Sequence, residues 1–165
     1  MLISEQYIAL QKKLHERGNY GVSSGRYADA VKQIAANLRT YDILDYGCGQ
    51  RMLEKALGFG IHNYDPCIPE VSASPAPADL VVCSDVLEHI EPDNLDDVLD
   101  DLKRVTKKVG FFVVATGPAN KVLDDGRNAH LIQEGARWWM PKILERFDLI
   151  QFQHEKQNDI FVVKA

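Results

Sequence analysis

Asp85, Glu88 and His89 stand at i, i+3 and i+4 in VVCSDVLEHIEP (residues 81–92), directly after an apolar run that predicts a buried strand. If the chain turns helical after Ser84, this spacing sets two carboxylates and an imidazole on one face, a turn apart. Glu88 and His89 in such a group can shape a pocket or serve as acid and base. A second cluster lies upstream in LDYGCGQRM, where Gly47 and Gly49 fall between a strand and a helix. A missing Cβ there lets a ligand approach the backbone, and the helix start offers unpaired N–H groups. Asp45, two residues before Gly47, would repel a pyrophosphate and attract an ammonium. Asp65 ends the next strand, where a carboxylate can accept hydrogen bonds from two ribose hydroxyls. Together these demands describe an amino-acid-bearing nucleoside. A tight turn that binds nothing is the plain alternative for the glycine pair taken alone.

The elements that must position these residues fit one domain. A chain of 165 residues can bury a real core, and residues 1–165 are taken as a single unit, with 1–40 a helical lid and 41–165 the core. With 45% hydrophobic residues, 26% charged residues and a formal net charge of -5, it has no basic field for gripping a phosphate backbone, which disfavours long nucleic acid as a partner. Cys48, Cys67 and Cys83 form neither a CxxC pair nor a zinc spacing, so a reducing cytoplasm is the expected compartment. MLISEQYIALQKKLHERG mixes charges into its apolar positions and is read as neither signal peptide nor membrane span.

SEQYIALQKKLHERG predicts a helix stopped at Gly18, and SSGRYADAVKQIAANL a second one behind serine caps. YDILDYGCGQRMLEKALGFGIHNYDP predicts a β-α-β unit, after which PCIPEVSASPAPA leaves little room for another helix and strand before DLVVCS. PDNLDDVLDDLKRVTKK predicts a helix with acids early and bases late, and VGFFVVATGP a strand covered on both faces. A helix over ARWWMPKILERF and strands over DLIQFQHE and DIFVVKA close the chain. The alternation predicts an α/β fold with a parallel sheet wound on both faces and an antiparallel terminal hairpin. Of Trp138 and Trp139, one is expected in the core and the other at a pocket rim. His15, His62 and His154 have no partner that the sequence identifies.

ILDYGCGQ, YDP, ADLVVCSDVLEHI and VGFFVVATGP, between about Ile43 and Thr116, resemble the successive strand motifs of class I S-adenosylmethionine-dependent methyltransferases. The resemblance implies a Rossmann-like, doubly wound, mostly parallel sheet, here shortened in the middle to about six strands. It implies methyl transfer from S-adenosylmethionine to a hydroxyl oxygen of a small or medium-sized acceptor, nucleotides and sugars included. In that family the glycine turn faces the methionine part of the cofactor and the acid after the second strand holds the ribose. Those roles fall on Asp45, Gly47, Gly49 and Asp65, with Asp85 also on the cofactor side. SSGRYADAV resembles the helix start that meets the cofactor carboxylate in quinone-type O-methyltransferases, which makes Arg26 a cofactor residue; a solvated helix-cap arginine is the alternative. Two departures stand out. Arg51 replaces the usual third small residue of the turn. The stretch after Asp65 lacks the strand whose following acid often contacts the adenine amine, so adenine must be held otherwise, against loop 66–78, or the cofactor bound weakly.

The acid-x-x-Glu-His segment also resembles two metal-assisted groups, the small-RNA 2′-O-methyltransferases and the ubiquinone-pathway O-methyltransferases. Carried over, Asp85, Glu88, His89 and His130 of GRNAHLIQE would hold Mg²⁺, Mn²⁺ or Zn²⁺, with Asp85 one methylene shorter than the usual Glu. Without a metal, Glu88, His89 and His130 remain the catalytic candidates. Two other classes compete: a noncatalytic S-adenosylmethionine-binding regulator, and a nicotinamide-dependent oxidoreductase. Against the second stand Met52, where GxGxxG requires glycine, and Asp45.

Overall fold

Nearly uninterrupted apolar runs become the central strands. The computed structural model describes residues 1–16 and 21–165; the expected helix stop at Gly18 and the side chain of His15 fall outside the described residues. β1 (Ile43–Tyr46) is buried at every position, β3 (Ala78–Ser84) at all but Asp79, and β4 (Thr106–Ala115) from Val109 to Val114. This is the pattern of strands covered on both faces. β2 (His62–Tyr64), β5 (Asp148–Glu155) and β6 (Asn158–Lys164) complete one sheet of order β2-β1-β3-β4-β6-β5. β2, β1, β3 and β4 run parallel, whereas β6 is antiparallel to both β4 and β5. The mostly parallel six-stranded sheet with its terminal hairpin is therefore as expected. The shortened middle is real too. Residues 66–77 contribute one 3₁₀ turn, Pro69–Val71, and no strand, which leaves β2 at the sheet edge.

Helices α2 (Ala28–Leu38) and α3 (Met52–Leu57) cover one face, burying Val31, Leu53 and Leu57 with Ile43, Leu80, Val82 and Phe111. Helices α4 (Leu95–Val105) and α5 (Ala136–Leu144) cover the other, with Leu99, Leu102 and Trp139 against Val81, Cys83, Phe112 and Phe161. Helix α1 (Glu5–Glu16) joins neither layer. Its Tyr7 and Leu14 bury against Leu123 and Ala129 in a separate cluster on the segment beyond β4, which places α1 over the C-terminal ends of the strands as a lid.

Several sequence expectations change. The helix over residues 92–108 stops at Val105, because the Thr106 hydroxyl donates to the Leu102 carbonyl (2.7 Å) and Thr106 pairs with Ala78, opening β4. Ser23 caps no helix; its hydroxyl donates to Asp85 instead. Trp139 is core, but Trp138 is half-buried under the Lys142 ammonium, 4.5 Å from its ring centre, and does not line the cleft described below. His62 and His154 do have partners, Asp42 at 3.5 Å and the buried Asp159 at 2.8 Å. Among the described residues no helix is long and apolar enough to cross a membrane.

Candidate active site

A cleft of about 900 Å³ opens where β1, β2, β3 and β4 end, the place where a doubly wound sheet leaves room between diverging connections. Its walls take Gly47 and Gly49 from the turn after β1, Asp65 from the end of β2, Asp85, Glu88 and His89 from the segment after β3, and Gly117 and His130 from beyond β4. Arg26 and the helix α1 residues Tyr7 and Gln11 close it from above.

The glycine turn is tightly held. Gly47 and Cys48 donate backbone N–H groups to the Tyr64 carbonyl (2.7 and 3.0 Å), and the Gly49 N–H donates to Asp65 Oδ2 (3.1 Å). Gly47 has φ +79°, and a Cβ on it would stand 2.4 Å from Val86 Cγ2. On Gly49, at φ +48°, a Cβ would stand 2.7 Å from the Gly21 carbonyl oxygen. The room the two glycines leave is thus filled by the chain itself, while their backbones still face the cleft. Asp45 does not reach it. Its carboxyl is 1% exposed beneath the turn with no hydrogen bond among the described residues, and burial, then Asp65 and Glu54, push its pKa up to about 7. Asp65 does line the cleft; its second oxygen accepts from the Cys67 N–H at 2.9 Å, and each oxygen keeps a further lone pair for a ligand hydroxyl.

The segment after β3 does not put Asp85, Glu88 and His89 on one face. Asp85 takes a left-handed conformation, φ +55°, before a short 3₁₀ turn over Leu87–His89, and the break turns its carboxylate away. That carboxylate accepts from Ser23 Oγ (2.5 Å) and from the Arg26 guanidinium (2.9 and 3.0 Å). Arg26 is therefore neither a bare helix cap nor unpaired.

Glu88, His89 and His130 do converge. Each offers a ligand atom, and the three atoms lie within 4.8 Å of one another; Asp85 is outside this group. Glu88 is 0% exposed. One of its oxygens accepts from the Ala115 N–H (3.1 Å), whereas Oε2 has no partner among the described residues, and burial, then Asp85, push its pKa up to about 8. His89 Nδ1 lies 2.7 Å from the Ala129 carbonyl and His130 Nδ1 2.6 Å from that of Gly117. A carbonyl oxygen only accepts, so both Nδ1 atoms carry hydrogen, and in the neutral form of either ring the lone pair is on Nε2. The two rings stand edge to face with centroids 4.7 Å apart. A buried carboxylate oxygen without a partner, beside two imidazoles oriented through Nδ1–H to carbonyls, is a donor set that fits a divalent cation.

Tyr7 and Gln11 were not singled out by sequence. Their spacing of one helical turn is the signal that places both on one face of α1. The Tyr7 hydroxyl donates to the His89 carbonyl at 2.6 Å, tying the lid to the same segment.

A family model described as a methyltransferase domain matches residues 17–157. No curated protein sequence gives a significant match. Among solved structures, the chain is similar to the 1,6-didemethyltoxoflavin-N1-methyltransferase of Burkholderia thailandensis, solved with 1,6-didemethyltoxoflavin and S-adenosylhomocysteine, at 15% identity and a TM-score of 0.67, covering 100% of this chain and 91% of that one. An O-methyltransferase family protein from the same organism gives 12% identity and a TM-score of 0.65 over 99% of this chain and 63% of that one. The methyltransferase domain of bacterial CtHen1-CN gives 13% and 0.62, over 87% of this chain and 100% of that domain. At these identities the three structures share the fold with this chain.

Proposed function

The chain belongs to the methyltransferase-domain family of class I, S-adenosylmethionine-dependent enzymes, and from that premise we propose that its cleft methylates a hydroxyl oxygen of a small or medium-sized acceptor with the help of a divalent ion. The carrying observation is Glu88, fully buried with one carboxylate oxygen unpartnered among the described residues, whose ligand atom lies within 4.8 Å of those of His89 and His130. Those three residues would hold the ion. Asp85 is not included, since Ser23 and Arg26 already engage it.

Bound S-adenosylmethionine supplies the methyl group on a sulfonium sulfur, and a divalent ion supplies a positive charge that favours the ionised acceptor oxygen. The chain's own residues bind, align and take a proton. Asp65 accepts the ribose hydroxyls, the backbone of Gly47 and Gly49 lines the methionine portion, and Arg26 exchanges Asp85 for the cofactor carboxylate. Asp45 acts from beneath the turn on the cofactor's ammonium. When the acceptor oxygen gains a methyl it must lose its proton; Nε2 of His89 or His130 can receive it where no ion occupies that nitrogen, and otherwise the proton goes to solvent. Alignment supplies most of the rate, as for other displacements between bound partners. The net charge of -5 supports a nucleotide, sugar or other small acceptor over a long polyanion, and three free, buried cysteines support a cytoplasmic setting.

The test is direct metal binding. Titration of the purified chain with Mn²⁺, followed by electron paramagnetic resonance, is expected to show one site. Glu88→Gln and His130→Ala should weaken it by at least about tenfold, while S-adenosylhomocysteine affinity by calorimetry stays within about twofold. Turnover that survives EDTA, in a protein that takes up no Mn²⁺, defeats the metal and leaves the histidines as general bases.

A further inference from the structure

The sheet order β2-β1-β3-β4-β6-β5 ranks the cleft-lining groups across the strand ends. Asp65 and the glycine turn belong to β2 and β1, Glu88 and His89 follow β3, and the turn between β5 and β6 stands beyond β4. Short steps fix that turn to the three converging residues. Ala115 donates its N–H to Glu88 (3.1 Å) and pairs with Asn158, Thr116 donates its N–H and its hydroxyl to the Gln157 carbonyl (2.8 and 3.1 Å), and the Gly117 carbonyl accepts from His130 Nδ1 (2.6 Å). Neighbouring strands lie about 4.8 Å apart, so the turn is roughly one strand spacing beyond this group, on the side away from Asp65.

In methyl transfer a C–O bond forms as the C–S bond breaks, and the acceptor proton leaves as described above. The acceptor oxygen must stand across the methyl carbon from the sulfur. With the cofactor running from Asp65 and the glycine turn toward Glu88, the body of the acceptor is left the end of the cleft formed by β4 and β6. From Ala115 onward the lining residues include two lysines, Lys121 and Lys156, and no carboxylate, in a chain whose net charge is -5. The Lys156 ammonium has no ion pair among the described residues. Its backbone is left-handed, φ +57°, where glycine is at home and a lysine is strained. A lysine kept at a turn position that favours glycine, on the cleft wall and without a counter-ion, is accounted for by an anion that the ligand brings.

We propose that the acceptor carries an anionic group, a carboxylate or a phosphate, which pairs with Lys156 while its hydroxyl lies at Glu88, His89 and His130. This rests on the hydroxyl-methylation reading above, and the test separates the two. Calorimetry on the chain saturated with S-adenosylhomocysteine compares two matched pairs, 3,4-dihydroxybenzoate against 3,4-dihydroxybenzamide and ribose 5-phosphate against ribose. The proteins are the wild type, Lys156→Gly, which removes the charge and suits the backbone of the turn, and Lys156→Arg, which keeps the charge. In the wild type the charged member of one pair should bind at least about tenfold more tightly than its neutral partner, and the pair that shows it tells carboxylate from phosphate. Lys156→Arg should keep that preference and Lys156→Gly lose it, with S-adenosylhomocysteine affinity in both within about twofold of the wild type. If Lys156→Gly does not fold, Lys156→Met carries the same comparison. Equal affinities within each pair, or no binding of either anion at about 10 mM, overturn the anionic acceptor alone. A preference that survives loss of the lysine overturns the assignment to Lys156. A wild type that does not bind S-adenosylhomocysteine overturns the functional reading and this proposal together.

Discussion

Asp45 and Glu88 are both carboxyls stripped of water, and burial raises the pKa of each, to about 7 and about 8. Their surroundings differ. Glu88 has two imidazoles with ligand atoms within 4.8 Å of one of its carboxylate oxygens, whereas the charges acting on Asp45 are the carboxylates of Asp65 and Glu54. Asp45 is therefore a stability cost that depends on pH. In the unfolded chain it ionises near 3.8 and in the folded chain near 7, so between these values the folded state holds a proton that the unfolded state has released. Its contribution is harmless below pH 4, worsens as pH rises, and levels off above pH 7 at a loss on the order of 4 kcal/mol, by 1.36 kcal/mol per unit. Asp45→Asn should thus stabilise the chain at pH 8 and do little at pH 4.5. Urea melts of both proteins at the two values check this through the difference between them, which cancels every other carboxylate. A variant less stable than the wild type at pH 8 would mean that the ionised Asp45 has a favourable partner. The proposed action of Asp45 from beneath the turn on the cofactor's ammonium adds a second expectation, namely that the stabilised variant binds S-adenosylhomocysteine more weakly.

Among the elements, the turn joining β1 to α3 depends on what packs over it. At Gly47 the obstacle is a side chain, Val86, and at Gly49 it is the backbone of Gly21. Gly47→Ala should cost about 2–5 kcal/mol, from roughly 1–2 for a left-handed φ and 1–3 for overpacking. The overpacking share should return in Gly47→Ala/Val86→Ala relative to Val86→Ala alone. No such rescue exists for Gly49→Ala, because backbone cannot be trimmed. Urea unfolding of the four Gly47 and Val86 proteins measures the coupling, and strict additivity would remove Val86 as the cause. The same contrast explains what the sequence could reveal. Strands β1, β3 and β4 were legible because cover on both faces demands unbroken apolar runs. The boundary at Val105 was not, since Thr106, Lys107 and Lys108 carry no period and the choice was made by pairing with β3. Glu88, His89 and His130 could be listed from residue type. The removal of Asp85 from their company could not, because it follows from one left-handed backbone angle. Gln11 was invisible for a different reason: a lone glutamine on an amphipathic helix looks like solvent-facing surface until the fold buries it.

At the scale of the molecule, two large apolar cores clamp the sheet between α2/α3 and α4/α5, while α1 is held by a small cluster of its own. Stability should be uneven in the same way. Amides of β3 and β4, buried in both main cores, should exchange with solvent only on global unfolding, whereas α1 can lift by giving up Tyr7, Leu14 and their two buried partners. The cleft lies between that lid and the strand ends, so a bound cofactor analogue bridges a weakly held element to a strongly held one. Linkage sets the size of the effect: at 100 times its Kd, a ligand that requires the closed lid adds about 2.7 kcal/mol against lid opening, or roughly a hundredfold slower exchange. Saturating S-adenosylhomocysteine should therefore slow hydrogen exchange across α1 and around Ser23 and Arg26, which flank the cleft. The solvent-exposed strand β5, on the far edge of the sheet, should change little. Mass-resolved exchange with and without the compound tests this. Equal protection gained along the whole chain would mean that α1 opens only when everything unfolds. Protection at the glycine turn with none on α1 would mean that the cofactor binds without its lid.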